Sequence, residues 1–194
     1  MSTQFSKIKR FNAIKCSNAV CVLTKEIDRG KNLPEFFYLR GKAYMLLSLN
    51  KKASADFEKA CSLKPASIKY KKTFAVSLLL SEEYQKCLEV IENSPKTPSF
   101  MLIKGACLYK SGKPADAIGV LDSYLARAPW DGAGHYQKAR CLMALGRFGE
   151  AQVSFRKSLR LGGDAVESLT WLALSVMAQD KKEGELAGGI PLAA

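Results

Sequence analysis

MLIKGACLYKSGKPADAIGVLDSYLARAPW occupies residues 101–130 and DGAGHYQKARCLMALGRFGEAQVSFRKSLRLGG follows at residues 131–163. Laid against each other at an offset of thirty-four, the two stretches pair like with like: Gly105 with Ala139, Leu108 with Leu142, Ala117 with Ala151, Leu121 with Phe155, Tyr124 with Ser158 and Pro129 with Gly163. A fixed period of this length signals stacked supersecondary units. Upstream, the same spacing picks out Gly41, Tyr44, Ala53, Phe57, Ala60 and Pro65, then Ala75, Leu78, Cys87, Ile91 and Ser94. Small residues recur where paired helices approach closely, and large ones where gaps must be filled; a bulky side chain at a small position would overpack the contact.

The run Phe37, Gly41, Tyr44, Ala53, Phe57, Ala60, Pro65 resembles the tetratricopeptide repeat, with a large, a small and an aromatic residue in the first helix and a small-large-small series ending in Pro in the second. The resemblance covers residues 34–179 and implies an all-α fold. The expected architecture is a right-handed α-α superhelix (a solenoid) of about four helical hairpins, with divergent N-terminal helices and a C-terminal capping helix. Repeats are expected at residues 34–67, 68–97, 98–131 and 132–165, preceded by a divergent helical segment at 1–33 and followed by a cap at 166–179. Residues 180–194, with Gly184, Gly188, Gly189 and Pro191, lack periodicity and read as a mobile tail.

Local signals agree with these divisions. Pro34 and Glu35 suit a helix start, where a missing amide is harmless and a negative charge complements the helix dipole. Ser111-Gly112-Lys113-Pro114 and Leu145-Gly146-Arg147-Phe148 mark hairpin reversals. The second repeat departs from the pattern: Lys71 takes a position normally large and apolar, Gly41 and Gly105 stand 64 rather than 68 apart, and the closing loop is expected to be shorter. Pro95 and Pro98 must interrupt helix there, changing the superhelical pitch locally. In the N-terminal segment Phe5, Ile8 and Phe11, then Ala19, Val22, Leu23 and Ile27, have helical spacing. Its first 25 residues carry five basic side chains and no acid, so an organellar transit peptide is an alternative to a repeat half.

The chain is 47% hydrophobic and 25% charged, an ordinary balance that argues against disorder and against a membrane protein. A cytoplasmic location follows as the simplest expectation. The formal charge of +12 belongs to one end: residues 1–72 hold sixteen Lys and Arg against five Asp and Glu, and the remainder fourteen against thirteen. Such a surface suits an acidic partner. Six cysteines show no Cys-x-x-Cys pair, and Cys107 and Cys141 share one repeat position, which points to packing rather than metal or redox chemistry. The lone histidine, His135, has no nucleophile to serve, and no phosphate loop or metal-ligand spacing occurs. No catalytic residue, metal or cofactor is expected.

The resemblance implies that the first helix of each hairpin lines a concave groove. The candidate partner-binding residues are Tyr38, Lys42, Met45, Lys69, Lys72, Leu102, Tyr109, Tyr136, Arg140 and Met143. The lysines would make a basic N-terminal half, the others an apolar, aromatic half edged by Arg140. A matching partner is a protein segment with acidic and apolar parts. Clamping of a carboxyl terminus in the family's familiar manner needs asparagines where Lys42, Thr73, Val76 and Ile103 stand. The leading reading is therefore a non-catalytic scaffold, adaptor or chaperone module. Two alternatives remain: a nucleic-acid binder using the N-terminal lysines with Phe36, Phe37, Tyr38 and Tyr70, and a subunit of a larger assembly or homo-oligomer through its weakly polar end.

Overall fold

The computed structural model describes residues 2–188, with side chains over residues 13–181. The described residues form ten α-helices and no strand: α1 (Ser2–Asp28), α2 (Pro34–Leu46), α3 (Asn50–Leu63), α4 (Ile68–Leu80), α5 (Tyr84–Glu92), α6 (Pro98–Lys110), α7 (Pro114–Leu125), α8 (Gly132–Ala144), α9 (Phe148–Arg160) and α10 (Ala165–Gly188). Four consecutive hairpins, α2/α3, α4/α5, α6/α7 and α8/α9, make the fold an all-α helical repeat. The chain divides into two compact units, Met1–Pro95 with α1–α5 and Lys96–Ala194 with α6–α10. The division falls in the proline-rich stretch before α6.

Helix starts follow from side chains that satisfy or dispense with the first amides. Proline opens α2, α6 and α7. Ser67 accepts from the Tyr70 amide at the start of α4, and Asp131 accepts from the amides of Ala133 and Gly134 at the start of α8. Hairpin reversals need a left-handed residue after the first helix, and Gly112 and Gly146 supply it at φ +80° and +68°. The first two repeats place Ser48 and Glu82 there, at φ 59° and 64°.

Inside each hairpin a small residue in the first helix faces a large one in the second. A Cβ on Gly41 would lie 2.8 Å from the Phe57 ring, and one on Gly105 would lie 2.7 Å from Leu121. Ala75 and Ala139 hold the equivalent sites, and both are completely buried, as are Phe57, Leu121 and Phe155. Cys87 is buried in the first unit and Cys107 and Cys141 in the second, whereas Cys16 and Cys61 are half-buried and Cys21 is exposed. Burial pushes the Cys141 thiol up to about 11, as an inert packing thiol requires.

Several boundaries differ from the sequence expectation. The N-terminal segment is one helix of 27 residues rather than several, because the first glycine or proline after Met1 is Gly30. The side chains of Phe5, Ile8 and Phe11 lie outside the described residues. In the second repeat the missing residues come from the helix, not the loop: α5 has nine residues against fourteen in α3, while the segment after it is no shorter. The Asn93 side chain turns back onto the Glu89 carbonyl, Lys71 Nζ donates to the Asn93 carbonyl, and Pro95 follows, so the helix stops early. Helix α10 runs on through residues 180–188, where the sequence reading expects a mobile tail; Lys181, Lys182, Glu183, Glu185 and Leu186 favour helix enough to carry Gly184. The rest of that expected tail, residues 189–194, lies outside the described residues.

The last helix is not a polar cap. Ala173 and Val176 stand one period beyond Ala139 and Leu142, which α9 covers, yet Val176 is 40% exposed and Ala173 is exposed too. Val166, Leu169 and Met177 extend this open apolar stripe.

Candidate functional site

The ten candidate residues fall five to each compact unit. Tyr38, Lys42, Met45, Lys69 and Lys72 belong to the first, on α2 and α4; Leu102, Tyr109, Tyr136, Arg140 and Met143 belong to the second, on α6 and α8.

In the first unit the structure gathers three of the five. The Tyr38 ring is buried with its centroid 5.7 Å from that of Phe57 and 4.9 Å from that of Tyr70. Lys69 Nζ sits 4.7 Å from the Tyr38 centroid and Lys42 Nζ 6.0 Å from it, so two exposed ammonium groups cover one ring. Below them the Tyr70 hydroxyl donates to Glu35 Oε1 at 3.1 Å. Burial, and then this carboxylate, pushes the Tyr70 phenol up. Glu35 itself is held below the usual carboxylate range, first by its own backbone amide and then by Tyr70 and Lys64. Met45 is half-buried and Lys72 exposed, with no recorded polar or ring contact to this cluster.

The second unit gathers Tyr109, Tyr136 and Arg140 around one cation. The Arg140 guanidinium carbon lies 4.7 Å from the Tyr109 ring centroid, 5.8 Å from that of Tyr136 and 5.7 Å from that of Trp171 on α10. Arg140 Nη2 donates to the Tyr109 hydroxyl at 3.5 Å, a long bond. Its Nε is buried and, alone among the described side-chain nitrogens and oxygens so buried, has no hydrogen-bond partner. Tyr136 is 8% exposed, stacked edge-on to Phe155 at 5.9 Å, and donates to Glu167 Oε2 at 2.6 Å. Burial first, and the Glu167 carboxylate second, push Tyr136 up to about 12. Met143 packs against the same core cluster, and Leu102 is half-buried on α6.

Tyr38 and Tyr136 are thus chiefly core residues, exposed only at an edge. Trp171 and Glu167 escape the sequence reading as neighbours of Arg140, because it treats the last helix as a cap or an assembly surface. The available signal is an aromatic residue in the helix one repeat after Tyr136. His135, half-buried, has Nε2 3.1 Å from the Pro129 carbonyl oxygen, a repeat contact. Among the described residues no His, Cys, Asp or Glu cluster could hold a metal ion, and no helix is long and apolar enough to cross a membrane.

Comparison with known proteins agrees with the helical-repeat fold. The tetratricopeptide repeat family matches at residues 34–67 and again at residues 108–165. No curated protein sequence matches the chain. Among solved structures, the chain is similar to PilW, described as a widely conserved type IV pilus biogenesis factor, at 22% identity over 98% of this chain and 96% of that one, with a TM-score of 0.70. It is similar to TTC0263, a thermophilic protein of the same repeat type from Thermus thermophilus, at 14% identity over 88% and 95%, TM-score 0.67. MamA from Desulfovibrio magneticus RS-1, residue 41 to its end, is similar at 20% identity over 80% and 94%, TM-score 0.66. At these identities the likeness concerns the fold. With its thirty-four-residue period, its four helical hairpins and these matches, the chain belongs to the tetratricopeptide repeat family.

Proposed function

We propose that the chain is a non-catalytic interaction module, a scaffold or adaptor that holds a segment of another protein along the first helices of its hairpins. The observation that carries this reading is the division of labour on those helices. Gly41, Ala75, Gly105 and Ala139 are committed to the contact with the second helix. Lys42, Met45, Lys69, Lys72, Leu102, Tyr109, Arg140 and Met143 remain exposed or half-buried at helical spacing from them. The lysines of the first unit suit acidic residues, and the half-buried apolar and aromatic side chains of the second suit apolar anchors. We place the module in the cytoplasm, a setting supported by the exposed, unbridged Cys21.

The nucleic-acid alternative needs aromatic platforms for bases. Of the four aromatics it would use, Phe37, Tyr38 and Tyr70 are between 5% and 9% exposed and Phe36 is half-buried, and the Tyr38 ring already lies beneath two lysines. This favours a protein partner. The assembly alternative has a specific observation behind it in the apolar stripe of α10, and it is compatible with the leading reading.

The test is affinity capture from nuclease-treated host lysate with the wild type and a Lys42/Lys69/Lys72→Glu variant. The proposal expects a discrete protein that survives nuclease and is lost with the variant. Recovery only of material that nuclease abolishes would transfer the function to nucleic acid.

A further inference from the structure

The geometry points to a carboxylate-binding site at Arg140, walled by Tyr109, Tyr136 and Trp171, that takes an Asp or Glu side chain of the partner segment. This inference rests on the interaction-module reading and names one contact within it.

Three observations converge. First, Arg140 is half-buried yet makes no ion pair among the described residues; its recorded hydrogen bond is the long one to the Tyr109 hydroxyl. The other half-buried arginine among the described residues, Arg40, has Asp56 as its partner. Second, Nε is withdrawn from water without a partner, so the guanidinium has lost hydration that the protein does not replace. Third, rings from three helices stand within 6 Å of its carbon and hold its plane in place. A fixed, partly dehydrated guanidinium is a bidentate receptor for a planar carboxylate, and the low local dielectric strengthens the pair.

The acid that touches the wall of this site is already committed. Glu167 Oε2 receives the Tyr136 hydroxyl at 2.6 Å, a bond that also orients the Tyr136 wall. Met143 lies three residues from Arg140 on α8, and Leu102 seven residues before Tyr109 on α6, so each shares a helix face with the site. The occupant is therefore an acidic side chain with an apolar residue about one turn or two residues away.

The chain has two tryptophans, Trp130 and Trp171, so Trp130→Phe leaves Trp171 as the reporter. Trp130 is 80% exposed, which makes the change structurally mild. This protein is titrated with three short peptides of alternating sequence: Glu-Leu capped at both ends, Gln-Leu capped at both ends, and Gln-Leu with a free carboxyl terminus. The site predicts that Glu-Leu shifts Trp171 emission and binds on the order of tenfold or more tightly than capped Gln-Leu. Arg140→Gln should erase that preference while circular dichroism stays unchanged, and Arg140→Lys should retain only part of it. Equal binding of all three peptides, or a preference that survives Arg140→Gln, overturns the carboxylate site and leaves the module reading standing. Preference for the free terminus alone overturns the side-chain assignment. Silence toward all three contradicts both readings.

Discussion

Arg40 and Asp56 meet through two parallel hydrogen bonds, Nε to Oδ2 at 2.8 Å and Nη2 to Oδ1 at 2.7 Å, with their side chains only 16% and 8% exposed. The third donor, Nη1, reaches Thr24 Oγ1 at 3.1 Å, and the guanidinium carbon lies 5.7 Å from the Phe37 ring. One arginine on α2 therefore ties α1 to α3. The Asp56 hydrogen bond, and then its charge, raises the Arg40 pKa further above its already high value.

Removing one partner of such a pair leaves the other charge stranded. Asp56→Ala is expected to destabilise the first unit by about 3 kcal/mol, whereas replacing both, Arg40→Met with Asp56→Leu, should recover most of the loss. Urea unfolding of the wild type and these two variants checks this. Equal losses in the single and double variants would show that the pair contributes through more than its mutual neutralisation.

Two glycines predict opposite outcomes for one chemical change. Gly105→Ala forces a Cβ to within 2.7 Å of Leu121, which is fully buried and cannot retreat, so stability should fall by about 1–2 kcal/mol. Gly119 lies inside α7 with nothing within 4 Å of a new Cβ. Gly119→Ala should therefore stabilise by up to about 1 kcal/mol through helix propensity. Thermal unfolding of both reads the sign directly.

Glu82 occupies the left-handed turn position that Gly112 and Gly146 fill in later repeats. Glu82→Gly should remove backbone strain and raise stability by roughly 0.5–1 kcal/mol, since glycine's own entropic cost offsets part of the gain. Gly146→Glu should lower it by a similar amount. A loss of stability in Glu82→Gly would contradict the equivalence of these turns.

Tyr124 and Tyr136 give the second unit an alkaline signature. Burial first, and then a hydrogen bond to Asp131 or Glu167, pushes each phenol up to about 12 from an ordinary value of 10.0. The folded state holds these protons more tightly than the unfolded chain. Their stabilisation is therefore complete below the ordinary value and is lost as pH climbs toward the folded one. Urea midpoints across that window should fall more steeply in the wild type than in Tyr124→Phe/Tyr136→Phe. Identical slopes would mean that the two hydroxyls do not titrate with folding.

The repeat was legible because its selection rule is local and periodic. Gly41 opposite Phe57 and Gly105 opposite Leu121 lie sixteen residues apart each time, so one hairpin reveals the next. The Arg140 site was half legible. Its residue types stood out on α6 and α8, but the wall supplied by Trp171 depends on how α10 packs, and no spacing rule fixes that. The unpartnered Nε and the burial of Tyr38 and Tyr136 are likewise three-dimensional facts. The early stop of α5 was hidden for another reason: Asn93 lies outside the periodic positions, and the departure at Lys71 does not by itself reveal that its ammonium reaches the Asn93 carbonyl.

The account stands most directly on where a partner touches the chain. A photo-crosslinking side chain placed in turn at Met45, Leu102 and Met143, and for comparison at Val153 and Lys113, would be activated in the host cell. The account predicts a discrete protein adduct from the first three positions and none from the last two. Adducts of equal yield from both sets, or from Val153 and Lys113 alone, would contradict the assignment of the first-helix face as the binding surface.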